Sequence, residues 1–283
     1  MRHAWWTGFS LVLSYACAEP AVAPRGDPPP IDSSPIDSRP ALEHYFSDAG
    51  TRGTMVIRGL PSGQPVTINA ERAEHGFAPS STFKIPNALI AFEEGLVSSP
   101  DDVFKGPHAQ FLLDGKPLLP KVCDGDITLR AAFRNSCIPV FQEIAGKVPQ
   151  ERYRRYLQAW RYGNMQIGGA ERDRFWLEGD LKISALQQAD FLERLTRGEL
   201  QGTRNHLRHV QDLTTVERTH DYVLHAKTGY VFTASPAVGW YVGWVERRDR
   251  TVVFALNLDL VRPELAAARA TIARQILAEL DVL

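Results

Sequence analysis

Apolar and polar positions recur with two different periods along this chain, and the changes of period divide it into three parts. The runs TMVIRG and VTINA, residues 54–59 and 66–70, are short and flank the turn-like LPSGQP, which predicts a β-hairpin. From about residue 78 to 220 the spacing is helical. After residue 220 three β-rich runs follow, and the chain closes on the helical pattern of residues 262–280.

Two helices of the middle part have clear ends. In residues 148–163, four large side chains share one face, and Pro149 suits a first turn. In residues 184–198, Ser184 and Gln187 stand at the spacing of a capping box, and Gly198 fits the end of the helix. Strands near both termini with helices between them predict an α/β (α+β) fold. Its antiparallel sheet is built from both ends and flanked by helices, and a helical lobe, about 78–220, is inserted in it.

The first 40 residues have a different character. A short basic start, the apolar AWWTGFSLVLSYACA and small residues near its end predict a signal peptide over residues 1–18, cut after Ala18. A buried first helix and a lipid-modified Cys17 remain less favoured alternatives. Residues 19–40 are rich in Pro, Asp and Ser, which is typical of a flexible linker. We therefore expect export to the periplasm or medium and a catalytic domain over residues 41–283.

Composition and charge exclude some classes of function. The chain has 283 residues, of which 44% are hydrophobic and 23% charged, with a net charge of −1. A net charge so close to zero creates no long-range electrostatic field that would attract nucleic acid or an anionic membrane surface. No stretch reaches the roughly 18 to 20 apolar residues of a membrane span. Monomer and homodimer both stay open.

Two cysteines, Cys123 and Cys137, follow the predicted signal peptide. Export permits a disulfide, but their pairing cannot be judged from the sequence, and we favour two buried thiols. Neither belongs to a CxxC or a Cys/His cluster with metal-ligand spacing, so no metal is expected.

The stretch PSSTFKIPNALIAFEEG, residues 79–95, places a lysine in the first turn of an apolar helix. Ser81 and Lys84 share a helix face at i and i+3. A serine hydroxyl becomes a nucleophile when a neighbouring base accepts its proton, and burial would make Lys84 such a base. Taken alone, this pair is more simply a capping serine and a surface lysine.

Two further motifs strengthen the catalytic interpretation. In RNSCIPVF, Ser136 stands where a loop meets a helix, with Pro139 in its first turn. In KTG, residues 227–229, Lys227 offers a positive charge at the end of a strand, and Gly229 permits close approach of a ligand. The order Ser-x-x-Lys, Ser-x-apolar and Lys-Thr-Gly resembles that of the penicillin-recognising serine enzymes.

Three other stretches, YGN (162–164), FWLEGDLKIS (175–184) and VGWYVGWVE, are similar to those of class D, the oxacillinase-type β-lactamases. The resemblance runs from about residue 42 to the C-terminus and implies the β-lactamase/transpeptidase-like fold. It also implies hydrolysis of the β-lactam amide bond in small-molecule antibiotics. Ser81 would become the acyl-ester, and Lys84 would carry CO2 as an N-carboxylysine general base.

The same resemblance assigns the remaining site residues. Ser136 and Lys227 would pass a proton to the leaving nitrogen, and the Trp176 indole would donate to the carbamate. The other assignments are an oxyanion hole from the backbone N–H groups of Ser81 and Tyr230, and substrate contacts from Ile138, Thr228, Gly229 and Arg269. Ile138 departs from the valine usual in this family, which leaves turnover rate and substrate range open.

Other proteins use the same three motifs. A β-lactam sensor is acylated but does not turn over, and a penicillin-binding transpeptidase carries further domains and a membrane anchor. The predicted cleavable signal and flexible linker favour a free hydrolase over both. A non-catalytic protein would need Ser81, Lys84, Ser136 and Lys227 to coincide without purpose.

Overall fold

A computed structural model describes Met1 and residues 37–283, except 63, 114, 118–120 and 203. The predicted signal peptide apart from Met1, and most of the predicted linker, therefore lie outside the described residues. The last residues assigned to that linker are ordered: Asp37 and Ser38 pair in parallel with residues 66 and 67.

Eleven strands are present in the described part of the chain: β1 Asp37–Ser38, β2 Gly53–Arg58, β3 Val66–Ile68, β4 Val103–Phe104, β5 Leu112–Leu113, β6 Lys116–Pro117, β7 Ile127–Thr128, β8 Thr215–Arg218, β9 Val223–Val231, β10 Ala237–Glu246 and β11 Thr251–Leu260. The α-helices there are α1 His44–Asp48, α2 Ala70–Glu74, α3 Lys84–Glu93, α4 Leu129–Arg134, α5 Ile138–Lys147, α6 Gln150–Ala159, α7 Ala185–Thr196, α8 Leu207–Thr214 and α9 Leu265–Glu279. Short 3-10 helices cover Pro40–Glu43, Ser80–Phe83 and Lys121–Cys123.

One seven-stranded sheet joins the two ends of the described chain in the order β1-β3-β2-β11-β10-β9-β8. All its neighbours are antiparallel except β1 and β3. Strand β2 pairs with β3 as the predicted hairpin and with β11 from the C-terminal part. The prediction of a sheet built from both ends is therefore confirmed. In the sequence, most of the helices lie between the N-terminal strands β1–β3 and the C-terminal strands β8–β11.

The sheet is covered on both faces, because successive residues of its central strands point to opposite sides. In β11, Val252, Phe254 and Leu256 pack with α9. Val253 and Ala255 pack in the larger core formed by the middle helices. This alternation fixes α9 on one face and the helical part on the other.

Two local signals in the middle part mark helix starts correctly, whereas Pro149 is the N-cap residue of α6 and not part of its first turn. The Ser184 hydroxyl accepts from the Gln187 N–H while the Gln187 side chain accepts from the Ser184 N–H, which is the predicted capping box. Pro139 lies in the first turn of α5. Within the described residues, no helix combines the length and apolar character needed to cross a membrane.

The preference for two free buried thiols is wrong. Cys123 and Cys137 are both buried, but they form a disulfide, with Cα atoms 5.5 Å apart. The fold brings the 3-10 helix that ends at Cys123 against the residue that precedes α5. Sequence spacing does not specify such an approach.

Candidate active site

Ser81 and Lys84 meet at the start of α3. Ser81 lies in the 3-10 helix Ser80–Phe83, and Lys84 is the first residue of α3, so the two side chains share one face of a continuous helical segment. The Lys84 Nζ donates to the Ser81 Oγ at 3.0 Å. This confirms the contact expected from the i, i+3 spacing.

The Lys84 amine is buried. The residue has 0% relative exposure, and its Nζ lies 5.1 Å from the centre of the Phe141 ring. Burial, and secondarily the charge of Lys227, hold the pKa of Lys84 well below its ordinary value of 10.5. A lysine in this setting favours the neutral amine, which can accept a proton.

Trp176 packs beside this pair. Its indole stacks on Phe83 with 5.5 Å between ring centres, and its carbonyl accepts from the Ser80 N–H at 2.9 Å. The side chain is fully buried, and its Nε1–H finds no acceptor among the described residues. A buried donor without a partner is costly, so this indole N–H is available to an acceptor that none of the described residues supplies.

Ser136 lies in the turn between α4 and α5, in a left-handed conformation with φ of 56°. This conformation is costly for a non-glycine residue and persists only where its surroundings hold it. The N–H groups of Ser136 and Cys137 donate to Phe133 and Ala132 carbonyls at 3.2 and 2.9 Å. The turn directs the Ser136 hydroxyl toward β9.

Lys227 reaches that hydroxyl from β9. Its Nζ donates to the Ser136 Oγ at 2.5 Å and to the Thr228 carbonyl at 3.1 Å. Burial, and secondarily the charge of Arg269, lower the pKa of Lys227 to about 7. An amine with that pKa can both hold and release a proton near neutral pH, and Ser136 is its nearest partner.

Gly229 allows β9 to approach the 3-10 helix. A Cβ at this position would lie 3.0 Å from the Trp240 Cβ, 3.1 Å from the Thr82 Cγ2 and 3.2 Å from the Pro79 carbonyl oxygen. A side chain there would push the strand away from the segment that carries Ser81. The glycine of the KTG motif is thus required by the close approach of the strand and the helix.

Arg269 approaches from α9. Its Nη1 donates to the Gly229 carbonyl at 2.7 Å, while its Nε is buried and has no partner among the described residues. Burial lowers the pKa of Arg269 to about 10, which still leaves the guanidinium charged at neutral pH. The prediction that Arg269 belongs to the site is consistent with this placement.

These elements surround a cavity of about 330 Å³. Its lining includes Ser81, Arg134, Asn135, Ser136, Ile138, Leu177, Thr228, Gly229, Tyr230, Phe232 and Arg269. None of these lining residues is an Asp or a Glu, and two are arginines. The cavity therefore suits an anionic small molecule.

The structure brings most of the sequence-predicted residues together. Three of them, Lys84, Lys227 and Trp176, do not line the cavity. Lys84 and Lys227 instead contact the lining residues Ser81 and Ser136, and Trp176 packs on Phe83. Sequence analysis missed Arg134, Asn135, Leu177 and Phe232. Asn135 precedes Ser136 and Leu177 follows Trp176, so adjacency in the sequence was the available signal. Phe232 follows the end of β9, and only the path of that strand brings it to the cavity.

No group of three or more His, Cys, Asp or Glu residues that could hold a metal ion occurs in the described part of the chain.

Comparison with known proteins places this site in a family. Residues 46–278 match the model of the penicillin-binding protein transpeptidase domain. β-Lactamase OXA-5 from Pseudomonas aeruginosa is 40% identical and aligns over 87% of this chain and 90% of its own length. OXA-10 from the same species is also 40% identical, over 76% of this chain and 79% of its own. The crystal structure of the class D β-lactamase YbXI from Nostoc superposes with a TM-score of 0.79 and 37% identity, covering 86% and 99% of the two chains.

Proposed function

The chain belongs to the class D β-lactamases, and we propose that it hydrolyses the β-lactam amide bond of antibiotics through an acyl-enzyme on Ser81. The observation that supports this most strongly is the contact between the Ser81 Oγ and the Lys84 Nζ, 3.0 Å apart beside a cavity without carboxylates. β-Lactam resistance is the biological result of such an activity. The relatives are named β-lactamases, so the sensor-domain alternative has no support from them.

In the proposed acylation, the Ser81 oxygen bonds to the β-lactam carbonyl carbon and the ring C–N bond then breaks. Lys84, whose Nζ lies 3.0 Å from the Ser81 Oγ, is assigned to accept the hydroxyl proton. The backbone N–H groups of Ser81 and Tyr230 are assigned to the oxyanion, since both residues line the cavity. Subsequent hydrolysis of the ester by water releases the product and restores Ser81.

The leaving nitrogen needs a proton, and the Ser136–Lys227 pair is assigned to supply it. The 2.5 Å contact allows Lys227 to replace a proton that Ser136 gives up. Its pKa of about 7 places both charge states within reach at neutral pH. The proton thus moves from Lys227 through the Ser136 hydroxyl to the nitrogen.

Substrate binding is assigned to residues of β9 and to Arg269 of α9. The Arg269 guanidinium supplies a charge for the substrate carboxylate, and Thr228 and Gly229 present the edge of β9. Ile138 and Leu177 form apolar parts of the lining, so the departure from valine at position 138 acts at the cavity itself. We propose no ranking among penicillins, oxacillin, cephalosporins and carbapenems.

The residues around Lys84 also fit the N-carboxylysine implied by the family. A low lysine pKa favours the neutral amine that reacts with CO2, and Trp176 has a buried donor without a partner. When bound, CO2 would supply a carbamate oxygen that accepts protons more readily than a charged ammonium does. Lys84 would hold this group and the Trp176 Nε1–H would orient it, with no metal required.

Export and assembly remain predictions. Residues 2–18, among them Cys17 with its alternative of lipid modification, lie outside the described residues, and export rests on the sequence pattern and on the family. The choice between monomer and homodimer stays open. The proposed ligand is a small-molecule β-lactam in either case.

The experiment that tests the proposal counts product from a chromogenic cephalosporin per molecule of purified enzyme. We expect many turnovers that are lost in Ser81→Ala and kept in a matched surface variant, Ser47→Ala. One product per enzyme with a stable adduct on Ser81 would indicate a sensor or transpeptidase-like acceptor instead. No burst at all would contradict the assignment of Ser81.

A further inference from the structure

The residue between Ser136 and Ile138 is Cys137, which the catalytic scheme does not use. It precedes α5 as the N-cap residue, yet its side chain makes no capping hydrogen bond. Ser, Thr, Asp or Asn normally holds a helix start at this position through a side-chain oxygen. Here the side chain is engaged in the disulfide to Cys123.

The partner, Cys123, is the buried residue of the segment 121–126. Within residues 121–126, all of which the structure describes, only Cys123 is buried, and Val122 is 49% exposed. The neighbouring polar contacts lie at the surface: Lys105 pairs with Asp126 where both side chains are more than half exposed. Burial alone therefore gives this segment little to hold it in place.

Residues 105–112, which contact this segment where the His108 N–H donates to the Asp124 carbonyl at 3.1 Å, leave an open space against α5. A cavity of about 720 Å³ lies there, lined by Lys105 and residues 107–112 on one side and by Pro139, Gln142 and Glu143 of α5 on another. The contact across it, His108 Nδ1 to Glu143 Oε2, is long at 3.9 Å. The covalent bond between Cys123 and Cys137 is thus a direct constraint that joins the 121–126 segment to the turn before α5.

We propose that the Cys123–Cys137 disulfide is a positioning element for β-lactam acylation, holding Ser136 in its left-handed turn within reach of Lys227. The inference rests on the proposed function. Cys137 touches neither substrate nor reacting atoms in this assignment; it acts through the adjacent Ser136, whose φ of 56° needs external support. Full activity then requires an oxidising compartment.

The position of the disulfide predicts a selective effect. Ser136 and Lys227 serve the proton transfer to the leaving nitrogen, which belongs to acylation. Lys84 lies on α3 and Trp176 in the loop before α7; Lys84 meets α5 only through Phe141 among its described ring contacts, one helical turn beyond Cys137. Loss of the bond therefore slows acylation of Ser81 and leaves hydrolysis of the acyl-ester unchanged.

The experiment compares full-length Cys17→Ala protein with the same chain carrying Cys123→Ala and Cys137→Ala. Acylation is followed by stopped flow and deacylation by recovery after excess substrate is removed. We expect the acylation rate constant to fall about tenfold, the scale seen when a catalytic group is displaced by a fraction of an ångström. Deacylation and its response to bicarbonate stay the same.

Reduction provides the matched control. Dithiothreitol gives two electrons and two protons to the disulfide and closes to its own cyclic disulfide. It slows acylation only in the chain that retains Cys123 and Cys137, and reoxidation restores the rate. Equal slowing of both chains would contradict the proposal.

Amide hydrogen exchange gives a readout independent of turnover. In the alanine pair we expect faster exchange of the Ser136 and Cys137 N–H groups, with residues 84–90 unchanged. Unchanged exchange at the turn, or acylation and deacylation falling in parallel with thermal stability, would overturn the positioning role. If removal of the disulfide speeds exchange at the turn but the disulfide-containing chain shows no turnover, the proposed function fails while the structural role of the disulfide stands.

Discussion

Lys84 and Lys227 show how burial changes the chemistry of a single residue. Each amine has few polar partners and lies near an aromatic ring, at 5.1 Å from the Phe141 centre and 5.7 Å from that of Phe133. Desolvation is the largest cause of both lowered pKa values. In the proposed mechanism, the same side chain that is a solvated charge elsewhere becomes a proton acceptor for Ser81 or a proton donor through Ser136.

Trp176 allows a residue-scale prediction. In Trp176→Phe the ring packing on Phe83 is largely kept, but the buried Nε1–H is lost. Since that donor is assigned to the carboxylated Lys84, we expect deacylation to slow at least several-fold and activity to depend more on added bicarbonate. The measurement is turnover against bicarbonate concentration at constant pH.

Trp160→Phe is the matched control for this prediction. Trp160 is equally buried, but its Nε1–H donates to the Gln201 carbonyl at 3.1 Å, away from the site. It should lose stability by about 1 kcal/mol without a new bicarbonate requirement. Wild-type bicarbonate dependence in Trp176→Phe would return this indole to a purely packing role.

At the scale of elements, the site depends on how closely β9 approaches the start of α3. The Trp240 Nε1–H from neighbouring β10 donates to the Ala78 carbonyl at 3.0 Å, and Gln188 of α7 donates to Thr82 at 2.8 Å. These bonds hold the 3-10 helix between the sheet and α7. Ser81, the proposed nucleophile, is thus positioned by two elements, β10 and α7, that are distant from it in sequence.

Gly229→Ala tests this approach. The added Cβ meets the Pro79 carbonyl and Thr82, so we expect the strand to shift by a few tenths of an ångström and kcat/KM to fall by ten-fold or more. The control is Gly146→Ala in α5, where a Cβ has nothing within 4 Å. That change should raise stability by about 0.5 to 1 kcal/mol and leave kcat/KM unchanged.

Steady-state kinetics and chemical denaturation decide this prediction. If both alanine variants kept wild-type kcat/KM, the strand-to-helix distance would not limit catalysis.

For the molecule as a whole, the buried lysines make the stability of the fold depend on pH, because burial lowers their pKa values. In the unfolded chain Lys227 has its ordinary pKa of 10.5, while in the folded protein the pKa is about 7. Between these values the unfolded state binds more protons, so the free energy of unfolding rises with pH across that window. Below about pH 7 both states are protonated and this contribution is flat.

The corresponding prediction compares the wild type with Lys227→Met. From pH 7 to 9 the wild type should gain stability relative to the variant by up to about 1.4 kcal/mol per pH unit, with no relative change from pH 5 to 6. Urea denaturation at fixed salt measures both chains. Parallel stability profiles from pH 7 to 9 would show that Lys227 keeps an ordinary pKa in the folded state.

Much of this protein is determined by its sequence alone, because periodicity and short-range spacing act locally. The hairpin of β2 and β3, the capping box at Ser184 and the contact of Ser81 with Lys84 need only neighbouring residues. The motifs resembling class D β-lactamases indicated the family, which the comparisons confirm. They also named most residues around the cavity.

Other properties were decided only by the tertiary structure. Pairing of Cys123 with Cys137 depends on two backbones meeting at 5.5 Å, which no spacing along 14 residues requires. The roles of Phe232 and Arg134 in the lining depend on where β9 and α4 end in space. The low pKa values of Lys84 and Lys227 arise from desolvation by segments far apart in the chain, and desolvation exists only once those segments have packed.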